Sequence, residues 1–257
     1  SSDVCSSDLE DLWDDKYDLK VSKIQKQNGA DLIINISASP FRENKFKDRV
    51  NLVRSKVNEI KIPFLYCNLV GAQDELVFDG SSFALDKNGN CISHCKSFEQ
   101  DILYIDLESH STKHIKYATK CEDLFNALCL GIKDYFKKTK NKEAVIGLSG
   151  GIDSAVVACI ASYALGNKSV YGVSMPSKFS SEHSKFDAEE LAKNLNINYQ
   201  SISIQNIVDK LEEELSESFS DTSRDVSEEN IQSRVRGNLL MALSNKFGRL
   251  EIGRAHV

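Results

Sequence analysis

The chain has 257 residues, of which 41% are hydrophobic and 27% charged, and it carries a formal net charge of −6. This composition is that of a globular protein with a hydrophobic core, and the acidic balance argues against a nucleic-acid-binding surface. No apolar run approaches the roughly 18 residues that a membrane-spanning helix needs, so we expect no membrane segment. The cysteines are scattered through apolar segments, which predicts reduced thiols in a cytoplasmic protein, and Cys91 and Cys95 lack a second ligand pair for zinc.

The two ends of the sequence are related to each other at the level of DNA. One DNA word can encode residues 3–9, and its reverse complement can encode residues 251–257. The word resembles a sequencing-library adaptor, and foreign terminal segments are set aside before a fold is assigned. We therefore expect residues 1–9 and 251–257 to be adaptor-derived, and the natural sequence between them to be a fragment.

The first half of the chain, residues 10–108, mixes strand and helix patterns. A compact apolar run at 31–36 predicts a buried strand, and apolar residues three and four apart predict an amphipathic helix over 45–60. Alternating or apolar runs predict further strands at 63–70, 82–86, 91–95 and 101–107, the second and third of which flank a hairpin turn at 87–90.

A polar segment at 109–120 without helical or strand periodicity predicts a linker. An amphipathic helix is expected next, over about 122–136, with one apolar side formed by Leu124, Leu128, Ile132, Tyr135 and Phe136. Strands are then predicted near 169–174 and 199–204, and helices near 182–196, 207–219 and 228–246. Alternating strands and helices indicate a parallel sheet covered on both faces, which binds its ligand beyond the carboxyl ends of the strands.

The segment 144–154, AVIGLSGGIDS, is the most informative part of the sequence. An apolar run short enough for a buried strand ends at a turn of Gly and Ser, and a helix pattern follows. Such a strand–turn–helix unit lets backbone N–H groups and the helix N-terminus face one anion. A Walker loop would carry a Lys before its final Ser or Thr, and this segment has none. The alternative is an ordinary glycine turn between a strand and a helix.

The segment resembles the pyrophosphate loop, Ser-Gly-Gly-x-Asp-Ser, of the ATP pyrophosphatases. That resemblance implies that Asp153 holds the Mg²⁺ ion that neutralises the leaving pyrophosphate. It also implies an ATP site formed by Gly147, Leu148, Ser149, Gly150, Gly151, Ile152, Asp153 and Ser154. Residues 175–177 follow a neighbouring predicted strand and are expected beside this loop.

Other segments narrow the resemblance to the glutamine-dependent NAD synthetase family. The second half matches its synthetase domain at 223–226 and 228–245, and the first half is similar to its nitrilase-type amidase domain. The matching amidase pieces are EDLW at 10–13, NISASPF at 35–41 and QDELVFDG at 73–80. The resemblance implies an α/β protein: a partial nitrilase-type α/β sandwich (10–108), the linker (109–120), and a partial Rossmann-like parallel sheet with a pyrophosphate loop (121–250).

In that family a nucleophilic Cys immediately precedes the Glu-Asp-Leu-Trp segment, whereas Leu9 stands at that position here. Cys5 lies four residues too early to replace it, so no catalytic residue is assigned. The resemblance implies that Ser39 and Lys45 bind glutamine. Ser39 could instead be a strand-end cap, and Lys45 a solvated residue at the start of a helix.

In the synthetase half, the resemblance implies that Asn230 and Arg234 bind deamido-NAD. The alternative is that Arg234 and Arg236 pair with acidic residues such as Glu228 and Glu229 on the same helix. His183, at the start of a predicted helix, is expected to be a surface or capping residue rather than a catalytic one.

The family resemblance implies ATP-dependent amidation of deamido-NAD to NAD, with glutamine or ammonia as nitrogen donor and AMP and pyrophosphate as products. ATP and Mg²⁺ are the implied cofactors. The implied partners are small molecules, with no nucleic acid and no membrane, and the parent enzyme is expected to be a homo-oligomer. Two alternatives share the loop: an RNA-modifying ATP pyrophosphatase, and a nucleotide-binding remnant without turnover. For the chain as written we expect no NAD formation.

Overall fold

The computed structural model describes residues 4–7, 12–14, 18–107, 111–220, 222–223 and 225–253. The chain divides into two compact units, Ser1–Tyr135 and Phe136–Val257, and the boundary lies within one long helix. The predicted domain boundaries, and the adaptor origin of residues 1–9 and 251–257, stay predictions.

The first unit is built around a five-stranded sheet. Its elements are β1 (Val4–Ser7), α1 (Val21–Gln27), β2 (Leu32–Ser37), α2 (Lys45–Ile60), β3 (Phe64–Asn68), β4 (Val70–Gln73), β5 (Leu76–Asp79), β6 (Phe83–Leu85), β7 (Cys91–His94) and the larger part of α3 (Lys120–Thr139), which ends in the second unit. The sheet has the order β1-β2-β3-β6-β7, with β1, β2 and β3 parallel and β6 and β7 antiparallel, while β4 and β5 form a separate two-stranded ribbon.

The core of the first unit lies between this sheet and α2. The helix covers the predicted range, and its apolar residues Val50, Val53 and Val57 are fully buried. They pack in one cluster with Ile33 of β2 and Phe64 of β3, as the amphipathic spacing predicts. The predicted hairpin around residues 87–90 is confirmed, since β6 and β7 pair antiparallel across it.

One sequence prediction in the first unit is wrong and another holds only in part. No strand forms over 101–107, where the side chains of Ile102 and Tyr104 are 80% and 98% exposed. Among the described residues the sheet ends at β7, and this extended segment does not pair with that edge. The predicted helix over 122–136 is confirmed as α3, and Phe136 on its predicted apolar side is buried, but Leu124 and Leu128 on that side are exposed.

The second unit is a parallel sheet of four strands. Its elements are β8 (Ala144–Gly147), α4 (Ile152–Leu165), β9 (Val170–Ser174), α5 (Glu182–Asn194), β10 (Asn198–Ser201), α6 (Gln205–Leu215), α7 (Val226–Phe247) and β11 (Leu250–Glu251), with a short 3-10 turn at Asn167–Ser169. The strand order is β10-β9-β8-β11, and every pair is parallel.

Helices cover both faces of this sheet, as predicted. Ile146 of β8 packs on one face with residues of α4 and α5, including Ala158 and Ala188. Its neighbour Val145 points to the other face and packs with Val208 of α6 and residues of α7. Adjacent strand residues point to opposite faces, so β8 is buried on both sides and reads as a continuous apolar run.

Candidate functional site

The loop between β8 and α4 turns sharply at Gly150. The φ angle of Gly150 is +79°, in the region that side chains disfavour. A Cβ atom at this position would lie 2.3 Å from the carbonyl oxygen of Ser184 on α5. The loop backbone therefore approaches α5 as closely as only a glycine permits.

Hydroxyl groups hold the loop in this shape. The Ser149 and Ser154 hydroxyl oxygens are 3.1 Å apart, and the Ser149 hydroxyl accepts a hydrogen bond from the Gly151 N–H at 3.1 Å. The Ser154 hydroxyl donates to the Gly151 carbonyl at 2.9 Å. Gly151 is the N-cap of α4 and has no side chain to cap it, so the positive end of the helix begins in a loop of small residues.

A cavity of about 390 Å³ lies where β8 and β9 end. It is lined by Gly147, Leu148, Ser149, Ser174, Met175, Pro176, Ser180, Ser184, Lys185, Arg236 and Leu240. Three of the eight predicted ATP-binding residues are in this set, and Met175 and Pro176 lie beside them as expected. The other five predicted residues, Gly150 to Ser154, lie outside the lining, and Asp153 is an exposed residue in the first turn of α4.

Arg236, rather than Arg234, reaches the cavity. The Arg236 Nε donates a hydrogen bond to the Met175 carbonyl oxygen at 3.1 Å, and burial lowers the pKa of its guanidinium. Arg234 and Asn230, one turn apart on α7, are exposed and do not line the cavity. The helical period of the sequence could have identified Arg236 as the inward-facing arginine. It stands four residues from both Gln232 and Leu240, which are buried on α7.

Glu228, one of the two acidic residues considered as partners of Arg234 and Arg236, belongs to the N-terminal cap of α7. Asp225 caps the helix by accepting from the Ser227 N–H at 2.8 Å. The Glu228 carboxylate accepts from the Asp225 N–H at 2.8 Å, which completes a capping box. The Glu228 carboxylate therefore bonds to the backbone at the start of its own helix rather than to Arg234 or Arg236.

Helix α5 begins with a serine cap. Ser181 accepts a hydrogen bond from the Ser184 N–H at 3.1 Å, so Ser181 rather than His183 is the cap. His183 is exposed, which agrees with its assignment as a surface residue. Ser180, Ser184 and Lys185 line the cavity, and sequence reasoning had given none of them a role.

In the first unit, Lys45 lines a second, smaller cavity of about 100 Å³. Its ammonium lies 3.8 Å from the centre of the Trp13 ring, and burial, followed by the charges of Arg42 and Arg49, lowers its pKa. Lys45 is thus a half-buried cation over an aromatic ring, which differs from a solvated residue at the start of a helix.

Ser39 lies apart from that cavity. It is buried, its N–H donates to the Asn68 Oδ1 at 2.9 Å, and it is not among the residues lining the cavity. The structure therefore does not bring Ser39 and Lys45 into one cavity. Leu9, the position of the family's nucleophile, lies outside the described residues.

Comparison with known proteins assigns both halves of the chain. The NAD synthase family model matches residues 124–257, and the carbon-nitrogen hydrolase model matches residues 12–117. The chain belongs to the NAD synthase family. Among the described residues, no group of three or more His, Cys, Asp or Glu side chains could hold a metal, and no helix is long and apolar enough to cross a membrane.

Curated relatives support the assignment. The chain is 42% identical over 254 residues to the glutamine-dependent NAD(+) synthetase of Synechocystis sp., a match that covers 94% of the chain and 46% of the relative. It is 37% identical to the enzyme of the same name from Thermotoga maritima, which it covers to 48%. The chain thus spans about half the length of the curated relatives it matches.

A solved structure shows the same fold. The glutamine-dependent NAD+ synthetase from Acinetobacter baumannii, in complex with adenosine diphosphate, has a TM-score of 0.89 and 31% identity to the chain. The match covers 97% of this chain and 48% of that one. The expected fold class and the family resemblance are therefore confirmed: a nitrilase-like unit is followed by a parallel-sheet synthetase unit.

Proposed function

We propose that this chain is part of a parent enzyme that catalyses the ATP-dependent amidation of deamido-NAD to NAD with glutamine as the nitrogen donor, and that the chain as written keeps a nucleotide site without forming NAD. The observation that carries the proposal is the cavity at the ends of β8 and β9, which joins Ser149 of the loop to Arg236 of α7 in a unit of the NAD synthase family. Cationic and hydroxyl groups at such a strand end suit the phosphates of a nucleotide.

The loop 147–154 is the proposed site for ATP. Backbone N–H groups and the Ser149 and Ser154 hydroxyls would replace their hydrogen bonds to one another with bonds to phosphate oxygens. The close approach at Gly150 keeps the loop folded as those bonds exchange, so little reorganisation is needed when the ligand binds.

Asp153 is the proposed ligand of Mg²⁺. A Mg²⁺ ion is commonly held by one or two carboxylates together with substrate phosphates and waters, so a single exposed carboxylate at the start of α4 fits. When bound, the ion would neutralise the charge that develops on the leaving pyrophosphate.

The acceptor and the nitrogen donor have proposed sites of their own. Asn230 and Arg234 share an exposed face of α7, where a guanidinium and an amide suit deamido-NAD. Lys45 in the first unit, together with Ser39, is proposed to bind glutamine, and the half-buried cation of Lys45 suits the substrate carboxylate. Because Leu9 replaces the nucleophilic Cys, we expect no glutamine hydrolysis by this chain.

Calorimetric titration of the chain with Mg-ATP, followed by assay of pyrophosphate release with deamido-NAD and ammonium, tests the proposal. We expect Mg-ATP to bind and the bound nucleotide to be displaced by ADP. No binding of Mg-ATP to the folded chain would contradict the proposed site. The RNA-modifying alternative is not favoured, because RNA binding relies on neutralising phosphates with lysine and arginine, whereas the chain carries a net charge of −6.

A further inference from the structure

The cavity at the ends of β8 and β9 is lined by two positively charged side chains, Lys185 of α5 and Arg236 of α7, which come from helices on opposite faces of the sheet. Of its lining residues only Arg236 and Lys185 carry charge, and no carboxylate accompanies them. The chain as a whole carries a net charge of −6, so this local excess of positive charge runs against the overall balance. A pocket lined by cations without a carboxylate attracts an anion.

The Arg236 guanidinium is held in place by one hydrogen bond and keeps further N–H donors for a ligand. Its Nε donates to the Met175 carbonyl, and among the described residues this is the hydrogen bond that it makes. The remaining donors belong to Nη1 and Nη2, and a guanidinium presents them as a planar fork that matches two phosphate oxygens. The bond to Met175 holds that fork at the cavity and reduces the conformational freedom lost when an anion binds.

Lys185 offers a second, more adaptable cation. Its ammonium lies 2.7 Å from the Glu182 Oε1, in a pair whose two side chains are both exposed. Exposed pairs of this kind are weak because water screens them, so a ligand phosphate can compete for the ammonium. Lys185 also follows Ser184, whose backbone touches the loop at Gly150.

The cavity also has apolar lining residues. Leu148, Met175 and Leu240 line it, and Gly147 stands between them with a Leu240 methyl group 3.1 Å from where its Cβ would be. Apolar and cationic residues in one cavity suit a nucleoside monophosphate, whose base would contact the apolar side chains and whose phosphate would contact the cations.

We propose that Arg236 and Lys185 bind the 5′-phosphate adjoining the adenosine of the nucleotide, while the loop 147–154 binds the two outer phosphates. This inference rests on the proposed function and deepens it by assigning the α-phosphate to residues outside the loop. In the proposed reaction the α-phosphorus is the atom attacked, so Arg236 would stabilise charge that develops there. Arg234, exposed and outside the cavity, has no part in this contact.

The test compares ligands that differ by one group. Calorimetric or NMR titration of the 257-residue chain with adenosine, AMP, inorganic pyrophosphate and deamido-NAD separates the sites. We expect AMP to bind more tightly than adenosine, and Arg236→Gln to bring AMP close to adenosine, a loss of about tenfold or more. Lys185→Gln should cause a smaller loss of the same kind, and pyrophosphate should respond to Ser149→Ala but not to Arg236→Gln.

Control variants separate the charge from the fold. Lys246→Gln removes one positive charge from the exposed last turn of the same helix and should leave the ratio of AMP to adenosine affinity unchanged. Arg236→Lys keeps the charge but not the fork, and should recover part of the AMP affinity. Circular dichroism checks that each variant is folded, and Lys185→Gln tests the inference without touching the bond to Met175.

Three results would overturn the inference. One is an unchanged AMP-to-adenosine ratio in both Arg236→Gln and Lys185→Gln while the unaltered chain binds Mg-ATP, which leaves the proposed function standing. Another is weaker deamido-NAD binding by these two variants with unchanged AMP binding, which would show that the cations bind a phosphate of the dinucleotide rather than that of AMP. Failure of the unaltered chain to bind Mg-ATP would remove both the inference and the proposed function.

Discussion

Gly150 and Ser184 approach so closely that a Cβ atom on Gly150 would stand 2.3 Å from the Ser184 carbonyl oxygen. The same residue has a φ of +79°, so both its own backbone and its neighbour require glycine. The contact joins the loop after β8 to the first turn of α5, which also supplies Lys185 to the cavity. The shape of the loop and the shape of the cavity therefore depend on one another.

Gly150→Ala should weaken both the fold and nucleotide binding. The positive φ costs roughly 1–2 kcal/mol for a residue with a Cβ, and the clash with backbone forces the loop away from α5. Gly248→Ala is the matched control, because Gly248 has a φ of +64° and nothing within 4 Å of its Cβ position. Chemical denaturation should show a larger loss for Gly150→Ala, and calorimetry should show weaker Mg-ATP binding for that variant alone.

Asp153→Asn should remove the effect of magnesium on nucleotide binding. The substitution keeps the size of the side chain but discards the charge proposed to hold Mg²⁺. Titration of ATP with and without Mg²⁺ should then give similar affinities for the variant, whereas Mg²⁺ tightens binding to the unaltered chain. Asp187→Asn, on the exposed side of α5, is the control. A full magnesium effect in Asp153→Asn would exclude this residue as the ligand.

The sequence was most informative where structure is local. The loop after β8 is defined by six adjacent residues, and the helix Lys45–Ile60 by its own apolar spacing, so both were predicted with their bounds. The segment 101–107 has an apolar run of strand length, yet it forms no strand. Pairing needs a partner strand from elsewhere in the chain, and a single segment carries no information about that partner.

Side-chain direction was harder to predict than secondary structure. Helix α3 was expected, but Ala127 and Cys129 are buried in place of Leu124 and Leu128, because the packed face depends on what the helix meets. On α7, Arg236 lines the cavity and Arg234 does not, which is likewise a question of helix face. The family resemblance implies that Arg234 binds deamido-NAD, and that assignment stays a prediction.

Breaking the buried ion pair in the first unit should be costly. Arg49 and Asp79 are paired, and neither side chain is more than 3% exposed. Asp79→Leu would leave the guanidinium buried without its counter-charge, at an expected cost of about 3–5 kcal/mol. The double variant Arg49→Met with Asp79→Leu should recover part of that loss, since it removes both charges.

Urea denaturation measures this difference. Asp48→Asn, which breaks the exposed pair with Arg42, should change the free energy of unfolding by no more than about 1 kcal/mol. If Asp79→Leu and Asp48→Asn lowered the free energy of unfolding equally, burial of the Arg49–Asp79 pair would not explain the cost of breaking it.

Lys45 should lose its proton at lower pH in the folded chain than in the unfolded chain. Burial and the neighbouring Arg42 and Arg49 lower its pKa, so the neutral amine becomes populated below the ordinary range for lysine. The pH profile of acylation by an amine-selective reagent, read by mass spectrometry, should therefore lie at lower pH for Lys45 in the native chain than in urea. Because the lowered pKa disfavours the charged form in the folded state, the contribution of Lys45 to stability rises as the pH rises through that interval. Coincident profiles in native and unfolded chains would contradict this.

Gly237→Ala should stabilise the second unit. Gly237 lies in the middle of α7, next to Arg236, and nothing lies within 4 Å of the position its Cβ would take. Alanine is favoured over glycine inside a helix by about 0.8–1 kcal/mol, because it restricts the unfolded chain more. Chemical denaturation should show a gain of this size, and AMP binding should be retained, since α7 holds Arg236 in the same place. A loss of AMP binding with the stability gained would mean that the ligand itself occupies the space beside Gly237.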